Sequence, residues 1–217
     1  MARSPSGTIH SVATVLSQKV AITGISNAVD AVVTAPGHGL ADGDIARIDS
    51  AWGRINGRAF RVKDVDTDTF TLDGADTSST ELFNPGGGAG DVRKAVTWVD
   101  LSKTFSHSSS GGDAKTINVH FLEDEMETLI SDGFNAVSRT FDIDADEIGN
   151  PGYMALKMLS DNDSDTIVRR RAKSGAISLL TCKVSFNEEE TLTDGQIVSV
   201  KGSFNAQGRS TRYAAPV

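Results

Sequence analysis

The sequence is short of several things, and each shortage removes a class of protein. It has one cysteine, Cys182, so it can hold no internal disulfide and no cysteine-built zinc site. Cys182 lies in the alternating run Leu180, Cys182, Val184, Phe186 and reads as a small buried hydrophobe. No apolar run approaches the ~20 residues a membrane helix needs. Residues 1–7 (MARSPSG) contain no apolar stretch, so a secretory signal is not expected. Basic residues are outnumbered, 21 Lys and Arg against 29 Asp and Glu, for a net charge of −8. That balance argues against ordinary binding to a phosphate backbone.

Catalytic and metal motifs are missing as well. His10, His38, His107 and His120 show neither H-x-x-x-H nor H-E-x-x-H spacing. No G-x-S-x-G occurs. The glycine-rich stretch 86–90 lacks the Lys-Ser/Thr of a phosphate loop. His120 with Glu123 is the nearest hydrolytic pair, and it has no nucleophile with a base and orienter. Three D-x-D-x-D segments begin at Asp64, Asp142 and Asp161. A calcium loop needs glycine at its sixth position and a bidentate glutamate at its twelfth. The sixth positions are Thr69, Glu147 and Thr166, and the twelfth are Ala75, Tyr153 and Ala172. No catalytic residue, cofactor site or metal site is therefore expected.

What is present is β-sheet patterning. From Val32 to Gly74, four short runs (32–35, 44–48, 58–65 and 69–72) are cut by Pro36-Gly37-His38-Gly39, Ala41-Asp42-Gly43 and Asn56-Gly57, and close at Asp73-Gly74. Strands this short with Asn-Gly and Asp-Gly between them predict a small antiparallel barrel or sandwich. Strands are also predicted over 12–16, 19–23, 95–105, 115–121, 136–145, 166–172, 176–186 and 196–206. The stretch 84–90 (NPGGGAG) marks the clearest boundary. Residues 122–131 (LEDEMETLIS) have helical spacing with Leu122, Met126, Leu129 and Ile130 on one face. Pro151 opens a second short helix with Tyr153, Leu156 and Leu159 on one face. The fold class is mainly β: an antiparallel sandwich or barrel body with one or two short helices, residues 1–23 and 93–217, and an inserted small β-module, residues 24–92.

Charge patterning adds candidate contacts. Alternation places Ser138, Thr140, Asp142 and Asp144 on one face of their strand, and Val137, Phe141 and Ile143 on the other with Arg139 among them. Arg169 and Arg171 share a face and Arg170 takes the opposite one. Without interleaved aromatics they read as a solvated or intersubunit strand rather than a nucleic-acid site. Glu188, Glu189 and Glu190, expected to form a polar corner, and the cluster at Glu123, Glu125 and Glu127 carry the matching sign. The polar stretches 106–113, 77–90 and 207–217 read as arms that order against neighbours. Trp52 either caps a small core or offers a stacking platform.

The wording resembles a family. HGL-x-x-GD, then NGR-x-F-x-V and TFTLDG, resembles the small β-module within many bacteriophage tail tube subunits. Pro151-Gly152-Tyr153-x-Ala155-Leu156 resembles that family's helix between body strands, and residues 176–186 followed by QIVSVKGSF resemble its closing hairpin. The resemblance spans about residues 22–204 and is to the major tail tube protein of long, non-contractile-tailed (siphovirus) phages. It implies homohexameric rings stacked into a tube in the virion, assembled in the host cytoplasm, with no membrane insertion. Implied partners are other copies of the chain, the tape-measure protein, the initiator or baseplate and terminator proteins, and viral DNA in transit. On this reading Ser138, Thr140, Asp142 and Asp144 face an acidic lumen that repels DNA, and the module decorates the exterior. Ser108, Ser109, Ser110, Gly111 and the helix at 122–131 contact neighbouring subunits or rings, with Arg169 and Arg171 against the glutamates. The other readings are a host-surface or carbohydrate-binding β protein and a terminator or connector ring protein.

Overall fold

The computed structural model describes residues 6–123 and 125–215. Residues 1–5, Asp124 of the acidic cluster, and Pro216 and Val217 of the polar stretch 207–217 lie outside the described residues.

Fourteen strands form one curled antiparallel sheet, and two more form a separate hairpin. The segment from 20 to 72 supplies β2 (Val20–Ile22), β3 (Gly24–Ile25), β4 (Val32–Thr34), β5 (Ile45–Ser50), β6 (Arg58–Lys63) and β7 (Thr69–Leu72), close to the four runs and flanking strand read from the sequence. Their alternate residues Val33, Ile48, Phe60, Val62, Phe70 and Leu72 are fully buried in one core. At ~1.5–3 kcal/mol for each large apolar side chain, this cluster is what holds such short strands together. Asn56-Gly57 makes the β5–β6 turn with Gly57 at φ +66°. A Cβ there would also lie 2.9 Å from the carbonyl oxygen of Gln207, so the position needs glycine twice over.

The second core gathers residues from β1 (Ile9–Leu16), β8 (Gly90–Leu101), β12 (Ser138–Asp144), β13 (Asp165–Arg171), β14 (Ile177–Thr191) and β15 (Ser199–Ala206). The helix α1 (Pro151–Asp161) covers it with Tyr153, Leu156 and Leu159, on the face its periodicity predicts. Gly202 exists because Phe141 lies across it: a Cβ there would sit 2.4 Å from the ring. Phe141 in turn stacks on Phe204 with centroids 4.7 Å apart. Strand β8 joins the two cores. Its first half pairs with β2 and β5, and its second half with β1. Ala13, Ile45, Ala59, Ala95, Ile167 and Leu179 fill the seam. Cys182 is buried, and burial pushes its thiol pKa up to about 12.

Several expectations are corrected. The strand predicted over 95–105 breaks at Ser102-Lys103, where Lys103 has φ +46°. Residues 106–110 of the first polar arm are ordered within the chain: β9 (Thr104–Ser110) pairs with β12, Ser108 opposite Thr140 and Ser110 opposite Ser138. A serine strand carries no apolar signal, and the neighbouring backbone supplies its ladder. The helix predicted over 122–131 is instead a turn and β11 (Thr128–Phe134), paired with β10 (Ala114–Val119), Ile117 opposite Ile130. Cross-strand bonding overrides the local 3.6-residue spacing. Glu188, Glu189 and Glu190 make no corner, since β14 runs on to Thr191 with a register shift against β15.

Two of the polar arms are docked. The C-terminal stretch forms β16 (Thr211–Tyr213) on β14. The Tyr213 hydroxyl accepts from the Arg61 backbone N–H at 2.8 Å and donates to the Asp73 carbonyl. Residues 77–90 fold over the first core, where Asn27 Nδ2 donates to the carbonyls of Thr77 and Phe83, and Phe83 packs edge-on to Trp52.

Candidate assembly surfaces

Three surfaces stand out among the described residues. The first is the outer face of β12, β15 and β14. Register places Ser138, Asn205 and Lys183 in one row, Thr140, Ser203 and Ser185 in the next, and Asp142, Lys201 and Asn187 in the third. The side chains are tied laterally: Ser138 Oγ donates to Asn205 Oδ1 at 3.1 Å, and the Ser108 and Thr140 hydroxyls share a 2.8 Å bond. The four residues chosen from the sequence therefore share a face, as alternation requires. Asp144 is drawn into local structure, accepting from the Asp146 N–H at the start of the 3-10 turn Ala145–Glu147, with Lys103 Nζ 3.7 Å away.

Sequence reasoning missed half of this surface. Lys201, Ser203 and Asn205 lie opposite Val200 and Phe204 in the same alternation, and Lys183 and Ser185 lie opposite Cys182 and Val184. That signal was available. The face carries Lys201 and Lys183 beside Asp142 and Asp144, so it is charge-balanced rather than acidic.

The second surface is the free edge of β9, the last strand in the sheet order. Ser106 through Ser110 are exposed, and the backbone groups on their outer side form no ladder with any strand among the described residues. Gly111 closes the strand at φ +79°, where a Cβ would strike the Ala136 carbonyl oxygen at 1.9 Å.

The third surface is the β10–β11 hairpin. Among the described residues it pairs only with itself, and its base touches the body through Arg209, whose guanidinium lies 4.3 Å from the Phe134 ring centroid. Ile117, Phe121, Met126, Leu129, Ile130 and Phe134 are exposed, and Leu122 is fully so. Glu123, Glu125 and Glu127 are exposed among them. Isolated two-stranded hairpins are marginal in water, and a contiguous apolar surface on a protruding element marks a contact site.

The charged strand residues divide. Arg169 stacks over Trp98 at 4.3 Å and Arg171 is exposed beside it. Glu188 is engaged internally, accepting from the Tyr153 hydroxyl at 3.3 Å and pairing with Lys157, while Glu189 and Glu190 are exposed. Trp52 is only 5% exposed and its indole N–H donates to the Asn84 carbonyl, so it caps a core and offers no stacking platform. His38 is likewise structural, with Nδ1 accepting from the Leu40 N–H. Among the described residues no group of three or more His, Cys, Asp or Glu is placed to hold a metal ion, and no helix is long and apolar enough to cross a membrane.

A curled, mainly β half-barrel with a free strand edge and an unpartnered hairpin has the build of a structural protein. The family model for phage tail tube protein, TTP, matches residues 50–215, and the chain belongs to that family, a family of phage structural proteins. Among solved structures, a chain of the anti-feeding prophage baseplate, determined by cryo-electron microscopy with 6-fold symmetry imposed, is similar at 9% identity and a TM-score of 0.35, covering 56% of this chain and 87% of its own. No curated protein matches the chain.

Proposed function

We propose that the protein is the repeating subunit of a long, non-contractile phage tail: six copies close a ring, and rings stack into a tube that houses the tape-measure protein and later conducts DNA. The observation that carries this reading is the coexistence of an unpaired edge strand and an apolar hairpin on a family member. An open edge invites pairing with another chain unless it is covered, and head-to-tail pairing of edges closes into a ring where the rotation allows. In this scheme β9, with Ser108, Ser109, Ser110 and Gly111, joins neighbouring subunits. The hairpin, with Glu123, Glu125 and Glu127, reaches the next ring, and Arg169 and Arg171 face Glu189 and Glu190 across a contact. The face of Ser138, Thr140, Asp142 and Asp144 lines the lumen, and residues 24–92 form a module on the exterior. Initiator and terminator proteins cap the two ends, and assembly takes place in the host cytoplasm.

Negative-stain electron microscopy of the purified chain at raised concentration tests the scheme. Hollow tubes or rings with sixfold end views are expected. Dispersed monomer at every concentration, with and without the tape-measure and initiator proteins, would overturn it.

A further inference from the structure

At one end of the half-barrel the face that lines the second core runs out into cations. A single cross-strand row holds His10 on β1, Arg170 on β13, Ser178 on β14 and Arg212 on β16, each the register partner of the next. Arg139 on β12 reaches the same place, its Nη2 3.4 Å from Ser178 Oγ. His107 on β9 stacks on His10 with ring centroids 4.3 Å apart. These six residues line a cavity of about 280 Å³.

The chain has eight more acidic than basic residues, yet Asp142 is the one carboxylate that acts on a residue of this cavity among the described residues, and it acts on His107 and not on an arginine. Among the described residues Arg139, Arg170 and Arg212 form no ion pair, and Arg139 Nη1 is buried with no acceptor. Burial, then Arg170, lowers the Arg139 pKa. Burial, then His107, Arg170 and Arg139, lowers that of His10 to about 3. Burial and Arg170 lower His107, with Asp142 acting the other way. Gathering like charges around one partly buried pocket is costly unless something of opposite sign completes it.

We propose that this cavity is an oxyanion site, taking one phosphate or carboxylate group between the guanidinium forks of Arg139, Arg170 and Arg212, with the Ser178 hydroxyl as a neutral donor. Guanidinium geometry suits bidentate binding of either group. The volume admits one such group with a few waters at ~30 Å³ each. The group can come from free inorganic phosphate or from an acidic side chain of a second copy of this chain; only the second source rests on the tube reading.

Calorimetric titration of the full-length dispersed subunit with inorganic phosphate, at constant ionic strength against chloride, tests the site. One-to-one saturable binding is expected, weakened about tenfold or more in Arg170→Gln and in Arg212→Gln. Arg212 sits on the short outer strand β16, so its replacement leaves the core rows intact, and a melting curve verifies the fold of each variant. No binding, or binding that both variants retain, overturns the proposal. The same titration on assembled tubes separates the sources. Binding retained there assigns a free ion. Binding lost there, with phosphate raising the subunit concentration needed for polymerisation, assigns a neighbour's carboxylate. A chain that never assembles sinks the tube reading and leaves the titration of the dispersed subunit to decide the site.

Discussion

Glu147 is the opposite case to the cationic cavity: a buried charge with every partner supplied. The residue is 4% exposed. It accepts from the Ser102 hydroxyl and from Asn150 Nδ2 at 2.8 Å, and pairs with Lys103 Nζ at 2.9 Å. One carboxylate thus ties the β8–β9 turn to the entry of α1. These bonds favour the charged form, Ser102 first and then Lys103 and Asn150, and hold its pKa at about 2. A carboxylate depressed in the folded state contributes stability that is complete above its unfolded pKa and is lost as pH falls toward the folded one. Denaturation of the wild-type subunit between pH 6 and 2 should therefore show midpoints falling below about pH 4.5. Glu147→Gln should be less stable near neutrality and show a shallower acid limb. Parallel pH profiles for the two would assign the acid sensitivity elsewhere.

The β10–β11 hairpin is the element that serves least within one subunit and exposes the most. Leu122 and Met126 at its tip are exposed, so Leu122→Ser with Met126→Ser should change the subunit's urea midpoint by no more than ~0.5 kcal/mol equivalent while preventing tubes from forming. Normal tubes from the double variant would remove the hairpin from the stacking contact. This element was also the least legible in the sequence. Leucine, methionine and glutamates favour a helix by intrinsic propensity, and only the long-range partner β10 decides otherwise. The strand β9 hid for a related reason, because serines leave no apolar period to read. By contrast, β4 to β7 and α1 were legible nearly to their ends, since turn residues and a one-sided apolar pattern specify them locally. The β12 face was legible through simple alternation. The arginine cavity was not: His10 and Arg170 lie far apart in sequence, and only register makes them neighbours.

Across the whole molecule, net charge is a poor guide to any one surface. The chain is acidic, yet the β12–β15–β14 face balances Asp142 and Asp144 against Lys201 and Lys183, and the cationic cavity lies inside the same half-barrel. A lumen built from that balanced face passes DNA by lacking a net attraction, not by strong repulsion. Asp142→Lys tips the balance, because its register partner is already Lys201. Virions carrying it should eject DNA several-fold more slowly at low salt and recover as salt screens the added attraction. Wild-type ejection rates at low salt would take Asp142 off the lumen wall. The position of β1 in the sheet has a different consequence, one of timing. This strand lies between β8 and β13, so during synthesis one of its flanks waits for residues 165–171. The segment through β8 can complete its own core on the order of ten seconds earlier at ordinary rates of synthesis. A nascent chain therefore carries a finished first core while the strands of its second core, β12 to β15, are still to be made.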